Sequence, residues 1–124
     1  RNVGDSRAYD FDYALTQITV DHSLIQELIS EGDITPEEAT THPQRHVLTQ
    51  ALGTESDVKP GFFTPVVENY LLLCSDRLIE EVPEETIRER INDASDIETA
   101  TDELVQKANE NGGSGNISAI LADV

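Results

Sequence analysis

The apolar run Tyr70-Leu71-Leu72-Leu73-Cys74 ends directly on the polar pair Ser75-Asp76. Too short for a core helix and free of Gly and Pro, it reads as a buried strand that delivers an acidic residue at its carboxyl end. A strand of that kind needs partners on its edges and cover on its faces, so the rest of the chain must supply both.

The flanking sequence supplies them in a definite order. Two alternating stretches, around Arg1 to Tyr9 and Ala14 to Val20, read as a hairpin whose turn uses Asp10 and Asp12. The period then changes. Ser23-x-x-Gln26 forms a capping box before Leu24, Ile25, Leu28 and Ile29 at helical spacing, and Gly32 is a natural stop. Thr35-Pro36-Glu37-Glu38 repeats the start signal, and Pro43 closes the segment. Residues 22–46 are therefore expected to be a small helical insert between strands.

From Val58 the strand pattern returns, with Phe62 to Val67 and Tyr70 to Cys74 paired through a turn near Glu68-Asn69. Pro83 opens a helix to about Ile91. Ser95-x-x-Glu98 caps a longer one whose Ile97, Ala100, Leu104, Val105 and Ala108 line one face. After the loop Asn111-Gly112-Gly113-Ser114-Gly115, residues Asn116 to Ala122 read as an interior strand, apolar on both sides. The fold class is α+β, with about five strands covered on one side by helices. A sheet so poor in aromatics leaves one face for a second sheet to complete.

Charge excludes several functions. Asp and Glu number 25 against 8 Lys and Arg, a formal net charge of −17, so nucleic-acid phosphate and an anionic membrane are both repelled. With Lys59 and Lys107 among its few cations, so acidic a surface is what a salt-adapted cytoplasm favours. The lone Cys74 excludes an internal disulfide and fits a reducing compartment. No apolar run approaches the roughly 20 residues of a bilayer span, and no basic-then-apolar leader opens the chain. A cytoplasmic location is expected. At 124 residues there is room for one domain, yet Arg1 runs straight into a strand pattern, from which a cut inside an element is expected.

Two strand-end carboxylates stand out, Asp5 in Gly4-Asp5-Ser6-Arg7 and Asp76 in Cys74-Ser75-Asp76. Carboxylates of that kind hold hard cations such as Mg²⁺ or Mn²⁺ through one or two oxygens each. Either one alone reads more readily as a turn or an ion pair. His22, His42 and His46 invite a metal or general-acid reading. With no helical ligand spacing beside a Cys or carboxylate, ordinary capping and packing roles are expected for them. Gly112 to Gly115 has no following Lys and precedes a strand, so it is not a nucleotide-phosphate loop.

Taken together, the ordered segments Asn2 to Tyr9, Asp21-His22-Ser23-Leu24, His42-Pro43-Gln44-Arg45, Leu48 to Gly53, Leu71 to Asp76 and Gly112 to Ile117 resemble consecutive motifs of bacterial-type PPM (PP2C-like) protein serine/threonine phosphatases. The resemblance spans nearly the whole chain and corresponds to the carboxy-terminal half of that domain. It implies a β-sandwich flanked by helices, with residues 22–46 as the flap beside a cleft. It also implies Mn²⁺ or Mg²⁺ as cofactors and phosphoserine or phosphothreonine proteins as substrates, hydrolysed by a metal-activated water with no covalent phosphoenzyme.

By the same resemblance Asp76 matches a ligand of the core metals and Asp5 one that helps hold a third, weaker ion. Two positions depart from the pattern. The family writes Ser-Asp-Gly where this chain has Ser75-Asp76-Arg77, and Gly-Gly-x-Asp-Asn where Gly115 replaces the aspartate. The family's amino-terminal motif Asp-Gly-x-Gly-Gly has no counterpart here, since no Asp-Gly pair occurs in the chain. The expectation is an enzyme by family that is incomplete and inactive as this chain, or else a degenerate binding or regulatory module. An uncovered half-sandwich is also expected to self-associate.

Overall fold

The computed structural model describes residues 1–53, 57–112 and 115–124. Its elements run β1 (Arg7–Asp12), β2 (Ala14–Gln17), α1 (Leu24–Ser30), α2 (Pro36–Ala39), β3 (Tyr70–Cys74), α3 (Asp76–Glu81), α4 (Glu84–Asp93), α5 (Ile97–Glu110) and β4 (Ala119–Asp123). They fall into two compact units, one of residues 1–5 and 20–63, the other of residues 6–19 and 64–124.

The second unit is built on one antiparallel sheet of order β2-β1-β3-β4. Alternation sets its faces. In the ladder Tyr9 lies opposite Leu72 and Leu72 opposite Leu121, and all three are buried. On that face α3, α4 and α5 contribute Leu78, Ile87, Ile91, Ala100, Leu104 and Ala108, and the residue after α3 adds Val82, to a continuous core with Tyr9, Phe11, Leu72 and Cys74. The opposite face carries Ala8, Leu73 and Ile120 in one row, with Asp10, Leu71 and Ala122 in the next. Among the described residues of this unit no helix covers it, and Leu73 stays 41% and Ile120 61% exposed. This is the mixed α+β architecture expected, with helices on one side.

Several element boundaries differ from the sequence expectation. The hairpin begins at Arg7, and its reversal rests on Tyr13 at φ 58 rather than on Asp10 and Asp12, both of which lie within β1. Phe62 to Val67 forms no strand: Pro65 interrupts it without an N–H to give to a ladder, and Val66 is 81% exposed. Four strands are described rather than about five, and β4 closes an edge of the described sheet instead of running inside it. Helix α3, absent from the sequence expectation, follows β3 directly and stops at Val82, whose side chain is fully buried ahead of Pro83. The cap of α5 is Asp96, accepting from the Thr99 N–H at 2.7 Å, in place of Ser95.

In the first unit the two insert helices form where expected. Ser23 Oγ accepts from the Gln26 N–H at 3.1 Å, although the Gln26 amide turns to Ser30 instead of closing the capping box. Thr35 accepts from the Glu38 N–H, with Pro36 in the first turn. Gly32 ends α1 at φ 79, a left-handed conformation that suits glycine. Asn2 and Gly61 exchange paired backbone hydrogen bonds at 2.8 Å.

Candidate functional site

The corner where β3 passes into α3 carries the chemistry singled out in the sequence. The Ser75 N–H donates to the Ser118 carbonyl, and the Ser118 N–H donates back to Ser75 Oγ, each at 3.0 Å. This double clasp fixes the end of β3 to the segment leading into β4. At the far end of α3, Asn111 Nδ2 donates to the Glu81 carbonyl at 2.8 Å. The segments on either side of the glycine-rich loop are thus tied to both ends of α3. Within that loop Gly113 and Ser114 lie outside the described residues.

Asp76 opens α3, and its Oδ1 accepts from the Arg77 N–H at 2.9 Å. Arg77 reaches forward one turn, where Nη1 meets Glu80 Oε2 at 3.1 Å. Its stem runs alongside Gly115: a Cβ at that glycine would stand 2.9 Å from Nε and 3.4 Å from both Cδ and Cγ. The structure therefore brings Asp76, Arg77 and Gly115 into one corner of the second unit.

Asp5 belongs to the first unit, where it directly follows Gly4. Gly4, at φ 102, is bound in both directions to His22: its N–H donates to Nδ1 at 3.1 Å, and its carbonyl accepts from the His22 N–H at 2.9 Å. His42 Nδ1 likewise accepts from the Gln44 N–H at 3.1 Å. His42 thus holds a local turn, while His22 ties two distant stretches of backbone together.

The sequence reading missed Ser118, Asn111 and Glu80. A Ser following the glycine loop and an Asn preceding it were the available signals, since both residue types readily bond backbone groups.

A divalent cation does not fit this corner as it stands. Asp76 accepts a hydrogen bond from its own turn, position 115 offers no side-chain oxygen, and the cationic side chain of Arg77 lies against Gly115. Among the described residues no three His, Cys, Asp or Glu side chains are gathered as ligands. No helix among the described residues is long and apolar enough to cross a membrane.

No protein-family model matches the chain. Individual proteins do. The serine/threonine phosphatase stp of Listeria monocytogenes is 39% identical over 125 residues, which cover 98% of this chain and 50% of that protein. The crystal structure of Stp1 from Staphylococcus aureus superposes with a TM-score of 0.92 at 42% identity, over 99% of this chain and 50% of its own. The catalytic domain of the phosphatase PstP, solved in complex with 2 manganese ions, matches with a TM-score of 0.80 at 35% identity, over 98% of this chain and 50% of its own. Sheet, helices and motif order define a phosphatase-type α+β domain. The chain is similar to the carboxy-terminal half of the domain of PPM serine/threonine phosphatases. It spans about half the length of the curated relatives it matches.

Proposed function

We propose that this chain is one half of a metal-dependent protein serine/threonine phosphatase and is catalytically silent by itself. The whole protein in this reading hydrolyses phosphoserine or phosphothreonine on other proteins, in the cytoplasm. By the family pattern Asp76 stands where core Mn²⁺ or Mg²⁺ ions would be held and Asp5 where a third would be, with residues 22–46 as the flap, but with Arg77 and Gly115 in place the Asp76 corner is a poor divalent site. What the chain contributes is rigidity: the clasp between Ser75 and Ser118 and the packed core behind β3 fix the backbone that carries Asp76.

The observation that carries the silence is Arg77 lying against Gly115 where the family pattern has a glycine and an aspartate. One carboxylate followed by an arginine and short of a second acidic partner is a poor divalent site, because each ligand charge lost and each cation added weakens binding. The same observation favours a second reading, a degenerate module that recognises a partner without hydrolysing it.

Phosphate release from a phosphothreonine peptide separates the readings. The chain alone should release none at millimolar Mn²⁺. Joined behind an amino-terminal half bearing Asp-Gly-x-Gly-Gly, it should show slow, manganese-dependent release. Turnover by the isolated chain would overturn the silence, and none by the joined protein would leave only the binding module.

A further inference from the structure

We infer that Arg77 and Gly115 form one coupled device, in which the missing side chain at 115 makes room for the Arg77 stem and the charge that this stem carries, one residue after Asp76, keeps divalent cations out of this corner.

The backbone at Gly115 lies outside the left-handed region, unlike Gly112 at φ 108 and Gly4 at φ 102. Conformation therefore does not reserve position 115 for glycine. The space beside it is taken by Arg77. A Cβ there would come within 2.9 Å of Arg77 Nε, closer than packed atoms sit without moving, and would touch its Cδ and Cγ at 3.4 Å. The Arg77 stem is held at its other end by the Glu80 pair at 3.1 Å, so displacing it loosens that pair. The guanidinium keeps its charge at any working pH. An incoming cation at Asp76 would meet a fixed positive charge on the next residue.

It follows that an Asp restored at 115 alone would take Arg77 as its nearest partner and form an ion pair instead of a metal ligand. This inference rests on the geometry of the corner and stands whether or not the whole protein hydrolyses phosphoesters.

Two measurements on the 124-residue chain test it. Denaturation midpoints followed by circular dichroism are compared for the parent, G115A, R77A and R77A/G115A. With Arg77 present, Gly115→Ala should lower the midpoint. In the R77A background the sign should reverse, because the space is free and alanine restricts the unfolded chain. Should G115A fail to fold, rescue by R77A makes the same point. An equal effect in both backgrounds, or failure of both glycine variants, overturns the coupling.

The second measurement titrates Mn²⁺ alone, read by electron paramagnetic resonance. R77G/G115D should bind at least about tenfold more tightly than G115D. The added carboxylate is common to both, so adventitious binding by the acidic surface cancels. Equal affinities would overturn the exclusion.

Discussion

Tyr9 is fully buried, yet its phenol has two partners, accepting from Arg7 Nη1 at 2.9 Å and donating to Glu84 Oε1 at 3.1 Å. The residue thereby links β1 to the start of α4 across the core. Removing only the hydroxyl, as in Tyr9→Phe, should lower unfolding free energy by about 1–2 kcal/mol in denaturant titrations. Burial pushes the phenol well above its ordinary value of 10.0, against the opposing pull of Arg7. The unfolded chain then gives up this proton first. The stability tied to it is complete below pH 10 and declines as pH rises beyond, a slope that Tyr9→Phe should flatten. Residue by residue, the candidate site was legible: Asp76, Arg77 and Gly115 each stood out against a motif pattern. Their contact was not. It depends on the Ser75–Ser118 clasp and the Asn111–Glu81 bond, tertiary hydrogen bonds that no local spacing encodes.

Helix α5 shows how an element can be right in its face and wrong in its start. Its apolar positions Ala100, Leu104 and Ala108 are buried as their spacing requires, while the cap moved one residue, from Ser95 to Asp96. Both residue types cap well, and periodicity alone cannot choose between neighbours. The choice has a measurable signature. Hydrogen bonds from Thr99 hold the Asp96 carboxyl below its ordinary value of 3.8. Its contribution is therefore present above that pH and is lost as pH falls through the lower folded value. Denaturation midpoints between pH 2 and 6 should fall less steeply for Asp96→Asn, which keeps a capping oxygen, than for the parent. Asp96→Ala should lose stability at neutral pH, and a neutral outcome there would return the cap to Ser95. The strand misread at Phe62 to Val67 has a different cause. Apolar content outweighed Pro65, whose missing N–H removes a ladder bond that side-chain composition does not register. In α3 the opposite happened: with only six residues it is too short to establish a period, and it forms because Leu78 and the following Val82 have a core to enter.

At the scale of the chain, a net charge of −17 opposes an uncovered apolar sheet face. Ala8, Leu73 and Ile120 lie side by side across three strands of the second unit, with Leu71 and Ala122 in the next row. A row of that kind is removed from water in a stable fold, and the chain spans only about half the length of its relatives. The isolated 124 residues are therefore expected to associate through this face. Repulsion between like-charged copies acts over a Debye length of about 30 Å at 0.01 M salt and about 3 Å at 1 M, whereas apolar contact is not screened. Association measured by sedimentation should accordingly grow with ionic strength. Leu73→Thr with Ile120→Thr should suppress it while leaving far-ultraviolet circular dichroism unchanged, because threonine keeps the strand preference and removes apolar surface. A parent chain that stays monomeric and melts cooperatively in molar salt would show that this face is stable in water, and that the sheet needs no second layer.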